Sequence, residues 1–393
     1  FCSSTAEDPS AGEPLSQRRR IMAAVDPQEW TATLQALGEA PGLKRCSEPL
    51  TPASGPVCVT GASGFIALHL VEQLLDKGYT VVGTVRSLAN EAKLAPLRDM
   101  QKRFGEDKLR IAGGVDCLKP ESFGDAVTGC VGVFHTASPF HFQATDPLKE
   151  LVEPALQGTL GCLEACKKAG SVRRVLVTSS FAAIFSPGKN PWDYTYTSKD
   201  WNTVSFPNKD GAFPEPGAPA HGYRYSKIVA EKAAWEFQAK EDCPFDVVCI
   251  NPPMVIGKNY NKPTSIDDLN TSSLQLLKIL TGKLAPNPNS IGWVDSADVA
   301  KAHIYGYEHP EAGGRRFLCA ADEVPLWTEV ATMLKEMNPN CPVVTDPPAG
   351  GVGVRMALDT SGLKGLSGFK FKPLRETLQE QCGSLISQEW AKL

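Results

Sequence analysis

The chain has 393 residues, a formal net charge of −4 and 42% hydrophobic residues, enough apolar material for one large core with a second, smaller lobe built from later segments. That charge gives no reason to expect nucleic acid or an anionic membrane as a partner, and no apolar run approaches the roughly eighteen residues a bilayer span needs. The 12 Cys are scattered, with Cys58, Cys130, Cys162, Cys166 and Cys249 inside expected strands or helices, which fits buried thiols in a reducing compartment better than a disulfide framework. Cys162 and Cys166 are the only close pair and the six His do not cluster, so no metal site is expected.

Residues 1–54 stand apart as an N-terminal extension. Phe1 to Gln17 is rich in Ser, Pro, Ala and Gly, and Arg18–Arg19–Arg20 precedes Met22. This segment reads as a precursor remnant, a targeting region or sequence upstream of a start at Met22, with Glu7, Asp8 and Glu13 counting against a transit peptide. Pro27 to Leu37 has the spacing of a short amphipathic helix with Trp30, Leu34 and Leu37 on one side. The expected location is cytoplasmic, with an organelle left open by this extension.

Val57–Cys58–Val59–Thr60 is a short apolar strand, followed by Gly61–Ala62–Ser63–Gly64–Phe65–Ile66–Ala67 and an amphipathic helix expected from His69 to Lys77. Gly61 allows a sharp strand-to-helix turn, Gly64 lets the backbone approach a pyrophosphate, and Ala67 keeps the helix close to the sheet. Phosphates belong at such a helix N-terminus, where unpaired amides and the helix dipole favour an anion. The next strand, Tyr79 to Val85, ends in Arg86, where an NAD-binding domain would place an acid against the ribose 2′-hydroxyl. Arg there removes the repulsion that would exclude a 2′-phosphate, and Lys93 adds a second positive charge. NADP is therefore expected in preference to NAD.

Further apolar strands follow: Leu109 to Val115 leading into Asp116, Val131 to His135 into Thr136–Ala137–Ser138, Arg174 to Val177 into Thr178–Ser179–Ser180, and Phe245 to Ile250 into Asn251–Pro252–Pro253. Alternation with helical stretches predicts an α/β fold, a Rossmann doubly wound parallel sheet covered on both faces. Ligands in such sheets bind beyond the carboxyl ends of the strands, where Asp116, Ser138, Ser180 and Pro252 fall. Between Pro187 and Ala220 the chain is rich in Pro, Gly and Asn and carries Trp192, Tyr194, Tyr196, Trp201 and Phe206. A loop of that length is expected to be a substrate-side lid, the alternative being a packed surface excursion.

Next comes His221–Gly222–Tyr223–Arg224–Tyr225–Ser226–Lys227, running into a helix from Ile228. Tyr223 and Lys227, four apart, share a helix face. A cation beside a phenol favours the phenolate and turns Tyr into a usable acid/base near neutral pH.

These motifs occur in one order with Leu269 to Ser273, Gly292 to Ala300 and Gly368 to Leu374. On them the chain, from about Gly55 to Trp390, resembles an extended short-chain dehydrogenase/reductase. It is similar to the group containing dihydroflavonol reductases, cinnamoyl-CoA reductases and fungal methylglyoxal/ketone reductases. The resemblance implies that Tyr223 gives a proton to a substrate carbonyl oxygen, Ser180 holds that oxygen, and Lys227 binds the nicotinamide ribose and tunes Tyr223. It also implies that Gly61, Ser63, Gly64, Phe65 and Ile66 form the phosphate turn and that Arg86 and Lys93 meet the 2′-phosphate. Asp116 and Cys117 would border the adenine, and Thr136, Ala137, Ser138, Pro252, Met254 and Ser273 would lie along the cofactor, with Ser138 also facing substrate.

Two departures bear on the substrate. Dihydroflavonol reductases place a flavonoid-contacting Asn five residues after the catalytic Ser, where this chain has Phe185; cinnamoyl-CoA reductases precede the Tyr with Asn–Trp and follow it with Cys, where this chain has His221, Gly222 and Arg224. Asn251 to Gly257 and Leu269 to Ser273 look closest to the fungal carbonyl reductases. The expectation is NADPH-dependent reduction of an aldehyde or ketone, a small-molecule partner. Residues 55–257 would form the NADP-binding domain and 258–393 mainly a substrate lobe, with 291–320 returning to the first. Alternatives are the two plant reductases, a hydroxysteroid dehydrogenase, a nucleotide-sugar epimerase, or a non-enzymatic NADPH sensor, which the Ser180, Tyr223 and Lys227 set argues against.

Overall fold

The computed structural model describes residues 46–138, 144–191, 193–208, 210–261, 266, 269–347 and 353–387; the helix expected over Pro27 to Leu37, together with Pro139 and Trp192, lies outside them. Among the described residues the strands are β1 (Val57–Thr60), β2 (Val81–Thr84), β3 (Leu109–Ala112), β4 (Gly132–His135), β5 (Arg174–Thr178), β6 (Thr195–Tyr196), β7 (Asp246–Asn251), β8 (Met254–Ile256), β9 (Trp293–Asp295), β10 (Arg315–Leu318) and β11 (Ala357–Leu358). Seven of them form one parallel sheet in the order β10-β7-β5-β4-β1-β2-β3. The direction of winding reverses between β1 and β4, which opens a crevice at their carboxyl ends.

The central strands are largely apolar because both faces of the sheet are covered; β1, β4 and β7 are buried at every position. On one face the helices Phe65–Asp76, Glu91–Phe104 and Ser296–Glu308 close a core around Val59, Leu74, Phe134 and Tyr307. On the other, Glu153–Ala169 and Ala218–Gln238 pack over Val133, Val175, Trp235 and Val247. A third core joins Leu276 and Leu280 of helix Thr271–Leu280, Leu334 of Trp327–Met337 and Leu378 of Leu374–Ser387 around Trp293. No helix among the described residues is long and apolar enough to cross a membrane.

Three boundaries differ from the sequence pattern. The first helix starts at Phe65, not His69, because extended Gly64 caps it directly and the first turn carries Phe65 and Ile66, partly buried against the core. β3 stops at Ala112, since Gly113 and Gly114 follow and Gly114 has φ +85. The helix bearing Tyr223 begins at Ala218, with Pro in its first turn, so Tyr223 lies inside the helix and not at its start.

Candidate active site

The crevice is built by side chains that lock β1 to β4. Thr60 Oγ1 accepts from the amides of Thr136 and Ala137, each at 3.1 Å, and pairs with His135 Nδ1 at 3.0 Å. This brings Ala137 against the turn after β1. Gly61 has φ +64, and a Cβ there would stand 3.1 Å from Ala137 Cα, so both the backbone conformation and the space exclude a side chain. Gly64 is exposed at the helix start, flanked by partly buried Ser63, Phe65 and Ile66. Beyond β2, Arg86 and Lys93 are both exposed. Asp116 folds its carboxylate onto the amide of Leu118 at 3.0 Å, and Cys117 beside it packs so closely on Gly158 that a Cβ on that glycine would meet Cys117 Cβ at 2.7 Å.

Ser180 follows the end of β5 in extended conformation and caps a short 3-10 turn, its Oγ accepting from Ala182 N at 3.1 Å and lying 3.5 Å from Pro252 O. Pro252 is buried directly after β7. Partly buried Tyr223 comes to Ser180 from the opposite helix and shares a hydrogen bond with it. Lys227 is buried one turn on, its Nζ 6.0 Å from the centre of the Tyr223 ring and 3.5 Å from Thr178 O. Ala137, Ser138, Thr178, Lys227 and Glu231 line one small cavity against the end of β4. Ser180, Tyr223, Lys227 and Thr136 to Ser138 thus meet at the carboxyl edge of the sheet.

Electrostatics at this edge depart from the sequence expectation. Burial raises the Tyr223 phenol above its ordinary value, with the hydrogen bond from Ser180 acting the other way. Burial also pulls Lys227 down to about 8. The expected lowering of Tyr223 by Lys227 is not found: burial, which disfavours the phenolate, is the largest influence, and the cation acting against it is Arg224.

The more distant candidates separate. Met254 is partly buried in β8. Ser273 is fully buried, its hydroxyl donating to Gln381 Oε1 at 3.1 Å within the second lobe. Phe185 stacks on Phe181 at 5.6 Å, meets Tyr196 edge-on at 5.6 Å, and lines a separate small apolar cavity with Met356. Gly222 presses on Pro147, where a Cβ would fall 2.3 Å from Pro147 Cβ. A Trp at that position, the cinnamoyl-CoA reductase pattern, does not fit this packing.

Sequence reasoning missed Glu231 and Arg316. Glu231 is fully buried and bound by Arg316 Nε at 2.7 Å. The signal for Glu231 was available, since 223, 227 and 231 run down one helix face. Arg316 lies 85 residues further on and had none. Among the described residues no group of His, Cys, Asp and Glu is arranged to hold a metal.

Comparison with known proteins follows the same lines. The family model described as NAD dependent epimerase/dehydratase matches residues 57–320. Cinnamoyl-CoA reductase CAD2 of Medicago truncatula is 36% identical over 342 residues, 86% of this chain and 97% of that protein. Anthocyanidin reductase of Vitis vinifera is 36% identical over 296 residues, 74% of this chain and 82% of that one. The crystal structure of yeast methylglyoxal/isovaleraldehyde reductase Gre2 complexed with NADPH superposes with a TM-score of 0.71 at 31% identity, covering 85% of this chain and 99% of that chain.

Proposed function

The chain belongs to the NAD dependent epimerase/dehydratase family, and we propose that it is an NADPH-dependent reductase converting an aldehyde or ketone to an alcohol. The observation that carries this reading is the meeting of Ser180, Tyr223 and Lys227 beside the β1–β4 crevice. The crevice suits a dinucleotide: a Cβ on Gly61 would fill the approach to Ala137, and the exposed helix start at Gly64 offers amides to a pyrophosphate. Relatives named as reductases, one of them solved with NADPH, support the same choice.

In this reading Gly61, Ser63, Gly64, Phe65 and Ile66 hold the pyrophosphate, and Arg86 with Lys93 pairs the 2′-phosphate. Asp116 and Cys117 border the adenine, while Thr136, Ala137, Ser138, Pro252 and Met254 flank the rest of the cofactor; Ser273, fully buried against Gln381, has no surface to offer it. NADPH, when bound, supplies the hydride. Tyr223 supplies the proton. Its raised pKa keeps the phenol protonated at neutral pH, as a donor to the forming alkoxide must be. Ser180, already sharing a hydrogen bond with Tyr223, steadies the same oxygen. Lys227 holds the nicotinamide ribose, and Phe185 presents an apolar wall to the substrate. Residues 55–257 carry the cofactor and 258–393 mainly the substrate, with β10 rejoining the main sheet.

The test follows NADPH oxidation over methylglyoxal, simple ketones, hydroxycinnamoyl-CoA esters and dihydroflavonols, with wild type and Tyr223→Phe. Expected is turnover of the simple carbonyls and a loss of roughly 10²-fold or more in the variant, with NADPH still bound. Turnover of the CoA esters alone, or a fully active variant, overturns the reading.

A further inference from the structure

Glu231 has no exposed surface, yet its carboxylate is surrounded by donors from four parts of the chain. Its Oε2 accepts from Ser179 Oγ at 2.6 Å, Asn251 Nδ2 at 2.8 Å and Arg316 Nη2 at 3.1 Å; its Oε1 accepts from Arg316 Nε at 2.7 Å and Trp235 Nε1 at 3.4 Å. Two of these donors adjoin the candidate machinery. Ser179 precedes Ser180. Asn251 precedes Pro252, and its Nδ2 also reaches Ser180 O at 3.2 Å. Arg316 extends past the carboxylate to Ser198 O at 3.1 Å and Asp200 O at 2.7 Å, and its guanidinium lies 3.7 Å from the centre of the Trp201 ring. Glu231 itself stands one helical turn beyond Lys227 and lines the same cavity.

A buried ion pair serving stability alone is often replaceable by apolar residues of the same volume. This one joins the strand end bearing Ser180, the helix bearing Tyr223 and Lys227, and the aromatic segment around Trp201. We propose that Glu231, gripped by Arg316, is a positioning residue that sets Ser180 and Lys227 relative to Tyr223 and anchors the Trp201 segment to the same point. This rests on the catalytic reading of Ser180, Tyr223 and Lys227. The carboxylate acts electrostatically on Lys227, as does Cys117 after β3; the Tyr223 ring lies 6.0 Å from Lys227 Nζ, and His135 at the end of β4 lines the same cavity. Its negative charge favours the ammonium form that burial opposes.

Two variants test this in the full-length protein, with NADPH fluorescence titrations from pH 6 to 9, steady-state kinetics on a simple ketone, and thermal melts. Glu231→Gln keeps the shape and removes the charge; Arg316→Lys keeps the charge pair but loses the planar fork that binds carboxylate and loop together. Expected for E231Q is a drop of roughly half a unit in the pH at which NADPH affinity declines, because Lys227 loses its neighbouring anion. The R316K variant should leave that midpoint in place. Both should lose roughly tenfold in kcat through misplacement of the acid, with KM within about threefold. A folded E231Q with an unmoved midpoint and kcat within twofold of wild type overturns the proposal. If E231Q does not fold, R316K with kcat within twofold overturns it instead. A wild type that binds NADPH but reduces no carbonyl sinks the reductase reading, and the pH midpoint then decides the role of Glu231.

Discussion

Two buried ion pairs sit at opposite ends of β5 and β7. Arg174 and Asp246, the first residues of β5 and β7, pair at 3.0 Å with both side chains 0% exposed. Arg316 of β10 pairs with Glu231 at 2.7 Å with side chains 7% and 0% exposed. Their remaining partners differ. Arg174 donates to the carbonyls of Gly306, Tyr307, His309 and Cys46, and Asp246 accepts from Cys46 N. Those contacts tie chain segments together at the amino-terminal edge and touch no candidate functional residue. The Glu231 pair instead reaches Ser179 and Asn251, which adjoin Ser180, and the segment from Ser198 to Trp201. The same chemistry closes the fold at one edge and arranges the site at the other, as expected where ligands collect beyond the carboxyl ends of parallel strands.

The sharpest way to break this contrast is at the amino-terminal edge. Arg174→Met leaves Asp246 as an uncompensated buried charge, so a loss of about 3–5 kcal/mol is expected. The kcat per folded molecule should stay at the wild-type value. Urea melts paired with active-site titration measure both; a variant of normal stability with a tenfold lower kcat would erase the distinction between the edges.

How much of each edge was legible in the sequence follows from the same physics. β1, β4, β5 and β7 were readable nearly to the residue because a strand buried on both faces must be continuously apolar. The first helix was displaced by a full turn, since Gly64 caps it from the turn itself and nothing in the periodicity marks Phe65. Tyr223 and Lys227 were readable from one helical spacing and Ser180 from its place after β5, all local features. Arg316 and Arg174 act through partners 72 to 135 residues away, and only the strand order brings these together. The direction of the Tyr223 shift was misread because it depends on burial, which a spacing cannot report.

The carboxyl edge should also be separable from stability. Arg86 is exposed, so Arg86→Asp is expected to change the melting free energy by no more than about 0.5 kcal/mol. Its effect belongs to the cofactor. Loss of charge-assisted bonds to a 2′-phosphate, each about 1.5–3 kcal/mol, should cut NADPH affinity by roughly ten- to a hundredfold and leave NADH affinity equal or better. Fluorescence titration with both nucleotides checks this, and equal binding of the two by the wild-type protein would defeat the assignment.

The smallest effect is expected at Phe185, where packing and specificity overlap. The ring is held between Phe181 and Tyr196, and Phe181 directly follows Ser180, so Phe185 belongs to an apolar cluster that begins beside the candidate oxygen-binding hydroxyl. Phe185→Asn therefore removes some of that packing as well as offering a donor and an acceptor to a polar ligand. Total activity mixes those two consequences. The ratio of kcat/KM for a dihydroflavonol to that for an apolar ketone does not, because the concentration of folded enzyme cancels. An unmet hydrogen bond in a dry pocket costs about 1–3 kcal/mol, and part of that should be recovered by the amide, so the ratio is expected to rise by roughly three- to tenfold in the variant. An unchanged ratio would mean that Phe185 only packs against its aromatic neighbours and that the substrate reaches Tyr223 from another side.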